Sequence, residues 1–469
     1  MLHCCPAQQI PSESAISRPH SSRYNPPPLP HPEANWPPSP RPEHQPARTM
    51  PANDYCAIDF GTSNSAVAIP HRDGMRLIEL EPGFQSMPTA VFYNAEDESR
   101  CFGREAVTAY VDGYDGRLMR SIKSILGSDL IEQSSEIGHG ISIKYIDVVI
   151  GYLRHLKNIA EAQHGGRLSR VVIGRPVRFV DHDETRDAKA MKSLDTAARA
   201  AGFTDVAFQF EPIAAALDYE STVREEQIVL VADIGGGTSD FSLVRVGPTR
   251  HGLLARQDDI LATHGIHVAG TDFDQSVNLA AIMPQLGFGS LGPQDRRVPG
   301  KVYFDLATWH LINTVYTHNR VIELREMISM YTDLDAYQRL MKVVTRRLGH
   351  CLAALAEQTK IDVALQGRSV IELAVLENNL RAVFTDTQQT AALEQKVTRI
   401  VDAARETMRQ ANMRAEGVNA VYFTGGSTGL QFLTRQIAEL FANARRVSGD
   451  RFSSVANGLG IYAMRKYGH

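Results

Sequence analysis

Five cysteines in 469 residues leave little from which to build a disulfide framework. Cys4, Cys5, Cys56, Cys101 and Cys351 are odd in number and none lies in a CxxC pair. A zinc site of that pattern is therefore excluded too, and a reducing cytoplasm is the expected setting. No run of about 18 apolar residues occurs, which argues against a spanning helix. The 49 basic and 53 acidic residues give a formal net charge of -4. That balance offers no excess of one sign with which to hold nucleic acid or a membrane surface, so neither is expected as a partner. A GxxxxGK[ST] segment is also missing, and with it the P-loop way of holding phosphate. What is present is an ordinary globular composition, 43% hydrophobic and 22% charged, long enough for two or more cores.

The chain changes character near residue 50. Residues 1–50 hold 13 of the 23 prolines, in pieces such as NPPPLPHP and WPPSPRPEHQP. They show no apolar periodicity and cannot bury enough surface to offset their ordering entropy, so a disordered tail is expected. The tail has no apolar h-region and does not read as a secretory signal. Its PxxP-like pieces would suit a partner groove, and an inert extension is the plainer reading. Met50 directly precedes the globular pattern, where a start codon would also fit.

From Asp54 onward strands and helices alternate, which points to an α/β protein. YCAIDFGTSNSAVAIP (55–70) and QIVLVADIGGGTSDFSLVRV (227–246) each read as two strands joined by a glycine turn. RVVIGRPV (170–177) reads as a strand ended by proline, and DETRDAKAMKSLDTAARAAGF (183–203) as a helix with acids in its first turn. AFQFEPIAAALDYE (207–220) is a strand followed by a proline at a helix start. TQQTAALEQKVTRIVDAARETMRQAN (387–412) is a long helix, and 420–441 a strand, turn and helix.

An internal repeat carries the argument further. AIDFGTSNSAVAI and VADIGGGTSDFSLV share one plan: apolar strand, Asp, Gly-Thr-Ser, second strand. Their acids, Asp59 and Asp233, stand 174 residues apart. Hairpin turns alone do not require a buried-strand Asp at the same place twice. One copy per lobe of a duplicated fold explains the spacing.

The residue types in the two turns point to phosphate and a cation together. Gly61 and Gly235, Gly236 and Gly237 would let backbone N–H groups approach phosphate closely. Thr62, Ser63, Thr238 and Ser239 add hydroxyl donors. Asp59, Asp233 and Asp240 would repel phosphate unless a cation lay between them. Hydrated Mg²⁺ suits that position, since it keeps waters and takes outer carboxylates.

With these residues in hand, the chain resembles the actin-like ATPase superfamily, and within it the nucleotide-binding domain of the seventy-kilodalton heat-shock chaperones. The resemblance covers residues 54–469 and follows the family's motif order. IDFGTSNSAVAI resembles the first phosphate loop, RSIKSILG (120–127) the segment with the family lysine, and VVIGRPVRF the proline-ended strand. FEPIAAALDYE resembles the segment with the acid near the cleaved phosphate, and DIGGGTSDFSLV the second phosphate loop. GTDFD (270–274) and TGGSTGL (424–430) resemble the short motif that follows and the adenosine-side loop, and AEQTKIDVAL (356–365) the adenine-clamping helix.

The resemblance implies duplicated ribonuclease H-like lobes around a central nucleotide cleft. It implies a tail over 1–50, a first lobe over 51–226 and a second over 227–450, enlarged at about 275–345. Residues 451–469 would form a helix returning to the first lobe. It implies ATP or ADP with Mg²⁺ as ligands. Asp59, Asp233 and Asp240 would serve the metal, and Lys123, Glu211, Asp233 and Thr238 the hydrolysis. Gly61, Thr62, Ser63, Gly235, Gly236, Gly237, Thr238 and Gly270 would hold the phosphates. Glu357, Lys360, Gly425, Gly426 and Ser427 would take the nucleoside side.

Some positions depart from the family. Ala364 stands where a serine is usual, Gly429 where an arginine stacks on the base, and Phe452, Ser453 and Ser454 where Asp-Glu-Ala is usual. A thinned adenine wall and weaker nucleotide affinity are expected. The chain stops soon after its final helix, so it resembles truncated bacterial members without a client-binding domain. The expected function is a chaperone-like nucleotide switch with slow Mg²⁺-dependent ATP hydrolysis, read by an unfolded polypeptide or a co-chaperone-like protein. A small-molecule kinase, or a non-hydrolysing scaffold or filament protein, is the alternative. LATWHLINTVYTHNRVIELREMISMYTDLDAYQRLMKVV (306–344) shows helical spacing, as an enlarged lobe core or a partner surface, with Trp309 and Tyr316 expected on one helix face. His264 and His267 read as structural rather than metal ligands.

Overall fold

The structure is a computed structural model that describes residues 53–72, 74–138, 140–180, 183–450 and 453–468. The tail read over 1–50 and Phe452 lie outside the described residues. The globular unit runs from Ala52 onward.

The first sheet begins with the hairpin of β1 (Tyr55–Phe60) and β2 (Asn64–His71), followed by β3 (Gly74–Leu77) and the short β4 (Ser86–Pro88). A three-stranded outer layer comes next, from β5 (Ala90–Asn94), β6 (Arg100–Phe102) and β7 (Gly116–Arg120), with α1 (Gly103–Val111) between the last two. A second hairpin, β8 (Ser134–Gly138) and β9 (Ile141–Lys144), leads into α2 (Tyr145–His164). The chain then returns to the first sheet through β10 (Arg170–Arg175), α3 (Glu184–Ala200), β11 (Asp205–Phe210) and α4 (Glu211–Glu220).

The second half repeats the plan. β12 (Gln227–Ile234), β13 (Ser239–Val246) and β14 (Ile260–Ile266) form the meander, and α5 (Gly270–Val277) follows. The region from there to α9 holds α6 (Lys301–Ala307), α7 (His318–Glu326) and α8 (Leu334–Thr345). Then come α9 (Gly349–Gln366), the hairpin β15 (Arg368–Glu372) and β16 (Arg381–Thr385), and α10 (Asp386–Gln410). β17 (Ala420–Thr424), α11 (Gln431–Glu439), β18 (Arg445–Ser448) and α12 (Ser454–Tyr467) complete the chain.

The two main sheets have one topology. Their strand orders are β11-β10-β1-β2-β3 and β14-β13-β12-β17-β18. In each, the hairpin strand carrying the acid sits centrally, antiparallel to its hairpin partner and parallel to the strand on its other side. Alternation along the strand then decides where the acid points. In β1, Cys56, Ile58 and Phe60 enter a core shared with α2 and α3, while Tyr55 and Ala57 face the opposite way, into a core shared with the second sheet. Asp59 continues that second row. In β12, Leu230, Ala232 and Ile234 pack under α10 and α11, and Val229 and Val231 face the first sheet. Asp233 continues the inner row. Period two thus sends both carboxylates into the space between the lobes.

Helix ends follow local chemistry. Asp183 accepts from the Arg186 N–H at the start of α3, and Thr385 and Gln388 cap α10 reciprocally. Pro212 sits in the first turn of α4, where its missing N–H costs nothing. The helices after each sheet, α4 and α12, cross between the lobes: α12 packs on β1, β2, β3 and β10, and α4 reaches β12 and β13. Gly458 makes this crossing close, since a Cβ there would stand 1.8 Å from the Ala214 carbonyl oxygen.

The region between α5 and β16 has a core of its own, from Val277 through Tyr303, Leu340 and Val363 to Phe384. Its helices before α8 are short and broken by turns. Trp309 and Tyr316 do not share a helix face: Trp309 lies in the turn after α6, and Tyr316 ends the 3-10 turn Ile312–Tyr316. Thr308, which accepts from Gln275 and donates to Phe304 O, interrupts the periodic pattern there.

Candidate functional site

Four elements deliver one charged cluster. Asp59 ends the inner row of β1 and Asp233 that of β12. Lys123 follows Ser121, whose backbone is left-handed (φ 54°), in the 3-10 turn Ile122–Ile125. Ile122 and Leu126, buried in the first-lobe core, anchor that turn on both sides of the lysine. Glu211 opens α4, where the helix dipole favours an acid. Lys123 Nζ donates to Glu211 Oε1 at 2.6 Å, and the lysine is 8% exposed.

The cluster carries more negative than positive charge. Burial pushes the Asp59 carboxyl up to about 7, helped by Glu211 and opposed by Lys123. Burial also raises Asp233, to about 8, with Asp240, Glu211 and Asp59 adding repulsion and Lys123 opposing. Asp240 stands directly opposite Asp233 in the β12–β13 ladder, which accounts for its share. Burial alone would lower Lys123, but Glu211, Asp59 and Asp233 outweigh it and hold the ammonium above its ordinary value.

The two glycine turns face each other beside this cluster. A Cβ on Gly236 would lie 2.4 Å from Ser63 Oγ, and one on Gly237 3.9 Å from Thr62 Cγ2. The second turn is braced by Gly235 N donating to Thr238 O at 3.0 Å. Gly270 N and Ser427 Oγ both donate to Gly235 O, at 3.2 and 2.7 Å. Gly425, in the turn after β17, comes within 2.6 Å of Asp233 Oδ1 when given a Cβ, and Gly426 opens the following 3-10 turn. Gly61, Thr62, Ser63, Gly235, Gly236, Gly237, Thr238, Gly270, Gly425, Gly426 and Ser427 therefore gather at one place.

Glu357 and Lys360 belong to a second charged group, reached along α5. Lys360 pairs with Asp274 at 2.6 Å. Asp274 is raised to about 6 by burial, with Lys360 opposing and Glu357 adding repulsion. Arg120, at the end of β7, faces Glu357 and Asp274 and is lowered by burial against their pull. His264 lies in β14 and His267 is exposed just after it.

Several contributors escaped sequence reasoning. Thr89 holds the first turn, its Oγ1 donating to Gly61 O and its N–H to Ser63 O, both at 2.8 Å. Thr271 holds the second, its N–H and Oγ1 donating to Gly236 O at 2.8 and 2.9 Å. Thr271 and Asp274 sit inside GTDFD, so proximity to Gly270 was the available signal. Arg120 opens the RSIKSILG segment three residues before Lys123, and that proximity was its available signal.

Two sheets of one topology, with acid-bearing hairpins facing each other across crossed helices, define the actin-like ATPase fold: duplicated ribonuclease H-like lobes around a central cleft. Residues 55–282 match the HSP70 family model, described as Hsp70 protein. Similar curated relatives are the "Chaperone protein HscA homolog" of Haemophilus influenzae (strain PittGG), 26% identical over 426 residues, and that of Actinobacillus pleuropneumoniae serotype 5b (strain L20), 25% over 427. A third, from Aliivibrio salmonicida (strain LFI1238), is 26% identical over 427 residues. Each alignment covers 87% of this chain, which spans 56–57% of the relatives' length. The similarity to the Hsp70 family is thus carried by residues 55–282 and extended over most of the chain by these relatives. Among the described residues, no helix is long and apolar enough to cross a membrane.

Proposed function

We propose that the chain binds ATP and ADP between its lobes with a hydrated Mg²⁺, hydrolyses ATP slowly, and serves as a nucleotide switch of the chaperone family. The observation that carries this reading is the meeting of Asp59, Lys123, Glu211 and Asp233, from four elements of two lobes, in one cluster. The donor set is carboxylate oxygen throughout, which suits a hard cation, and its mutual repulsion is of the kind a divalent ion relieves. Among the described residues no group of three His, Cys, Asp or Glu side chains is placed to hold a metal directly; a Mg²⁺ that keeps its waters needs only outer carboxylates and phosphate. Asp59 and Asp233 would hold it, with Asp240 orienting water.

Once bound, the ion supplies charge neutralisation on the phosphates. The chain's own groups do the rest. The turns around Gly61–Ser63 and Gly235–Thr238 offer backbone N–H groups to the phosphates from opposite lobes. Glu211 holds the Lys123 ammonium at 2.6 Å, aimed to offset charge on the terminal phosphate as it leaves. Glu211 and Thr238 would position the attacking water. Glu357, Lys360, Gly425, Gly426 and Ser427 would face the nucleoside.

Closure of the lobes is the output, biased by whatever nucleotide binds the closed form more tightly. An unfolded polypeptide or a co-chaperone-like protein would read it, in keeping with the relatives' printed description as chaperones, and the cytoplasm is the proposed setting. The test is ATP turnover by wild type, Lys123→Ala and Asp233→Asn. Turnover that falls at least about a hundredfold in both variants supports the assignment; equal rates in all three overturn it.

A further inference from the structure

The region between α5 and α9 leaves a cluster of apolar side chains bare. Among the described residues 17 large apolar side chains are exposed, and six of them fall within residues 291–334. Single exposed residues are ordinary on any surface, but a cluster marks a place of interaction. Five of the six, Leu291, Phe304, Ile328, Met330 and Leu334, are 46–51% exposed.

Packing joins the five into one face. Phe304 of α6 meets Phe288 edge-on at 5.6 Å. Phe288 begins a loop whose legs pair at Leu291 and Arg297, with Val298 N donating to Ser290 O at 3.1 Å. The turn Met327–Met330 lies against the outgoing leg. A Cβ on Gly292 would stand 2.0 Å from the Met330 carbonyl oxygen, and one on Gly287 2.9 Å from the Tyr331 ring. Leu334 opens α8 just after this turn. The core beneath is complete without the five: Tyr303 donates to Leu286 O at 2.9 Å, shares a 2.7 Å hydrogen bond with the Tyr331 hydroxyl, and is buried in one core with Leu324 and Leu340.

Charge on this face is divided by element. The loop 291–297 carries Arg296 and Arg297 against Asp295, while the segment 325–335 carries Glu326, Asp333 and Asp335 against Arg325. Among the described residues Arg296, Arg297, Glu326 and Asp335 take part in no salt bridge. A face that is basic on one element and acidic on the next complements itself when turned about a two-fold axis. Its size suits that use as well. Five large side chains, each about half bare, expose roughly 450 Å² of apolar surface, toward the top of what a monomer carries as one patch. Doubled across the axis, at the usual apolar share of about 57%, this makes an interface of about 1,600 Å², the standard size.

We propose that this face is where a second copy of the chain docks about a two-fold axis, with Leu291 and Met330 near the axis and Arg297 of each copy facing Asp335 of the other. The pairing does not rest on the ATP-binding reading. Its apolar centre supplies the attraction, and the divided charge fixes the orientation.

The test is sedimentation equilibrium of the full chain without nucleotide. Interfaces of this area hold with dissociation constants from micromolar downward, so wild type is expected to form dimers within about 1–100 μM. Met330→Glu, which would bury an unpaired charge, should weaken dimers at least about tenfold. Arg297→Glu and Asp335→Arg each set like charges together and should weaken them about tenfold. The double reversal Arg297→Glu/Asp335→Arg should return affinity to within about threefold of wild type. Urea midpoints of the variants, measured at low protein concentration, should match wild type, since these side chains lie at the surface. A wild type that stays monomeric throughout overturns the proposal, whatever other protein the face then takes. Dimers unchanged by Met330→Glu and Arg297→Glu place the contact elsewhere and overturn it too. A double reversal no tighter than the single ones overturns the two-fold arrangement. Should Met330→Glu fail to fold, the charge variants decide.

Discussion

Replacing Lys123 by alanine removes the ammonium that Glu211 pairs with at 2.6 Å. The side chains are 8% and 17% exposed, so the pair lies nearer the buried than the surface regime. Removing one partner of a buried pair costs about 3–5 kcal/mol, against about 0–1 for an exposed pair. Glu211 keeps some solvent and the positive end of α4, which places the expected loss near the lower bound, about 3 kcal/mol. Glu211→Gln should cost less, about 1–2 kcal/mol, because Lys123 retains Asp59 and Asp233 as countercharges. The double variant should then be milder than the two losses combined by about 2 kcal/mol, since it leaves no unpaired Glu211 charge. Urea unfolding of all four proteins, without nucleotide or divalent cation, measures this, with tryptophan emission and circular dichroism checked for coincident transitions. If Lys123→Ala unfolds within about 0.5 kcal/mol of wild type and the double variant is additive, the pair is not energetically coupled and the reasoning fails.

Two further outcomes follow from the packing. Gly458→Ala would place a methyl 1.8 Å from the Ala214 carbonyl oxygen, so α4 and α12 must separate; a loss of about 3 kcal/mol or more in urea unfolding is expected, and an unchanged midpoint would contradict the crossing. Burial, with Arg120 nearby, lowers His350 from 6.5 to about 4. The unfolded chain therefore holds the extra proton between those values. Stability is full above pH 6.5 and is lost as pH falls toward 4, by at most about 3 kcal/mol. His350→Phe should flatten unfolding profiles in that window, and an equal slope in both proteins would count against a neutral buried imidazole.

Much of the candidate site was legible because its chemistry is local. A glycine turn flanked by an acid and hydroxyl residues is written in a dozen consecutive letters, and the second copy at Asp59 makes chance a poor explanation. The same holds for the hairpins, whose alternating apolar residues announce two strands, and for capped helices such as α3 and α10. The departures are equally instructive. Helical spacing over 306–344 suggested one continuous face for Trp309 and Tyr316, yet α6 ends at Thr308, whose backbone is extended and whose hydroxyl accepts from the distant Gln275 amide. Arg120 stands in the RSIKSILG segment, but only the fold sets it against Trp309, Glu357 and Asp274.

By itself the sequence determined the strand–turn–strand units, the acids and glycines they carry, and their duplication, since each depends on neighbours a few residues apart. Tertiary structure alone decided which distant groups share a dielectric. Lys123 and Glu211 are 88 residues apart and pair at 2.6 Å, and Asp59 and Asp233 repel each other across two sheets. Their protonation, and hence the cluster's appetite for a cation, depends on burial and on charges from other elements, which no local pattern encodes.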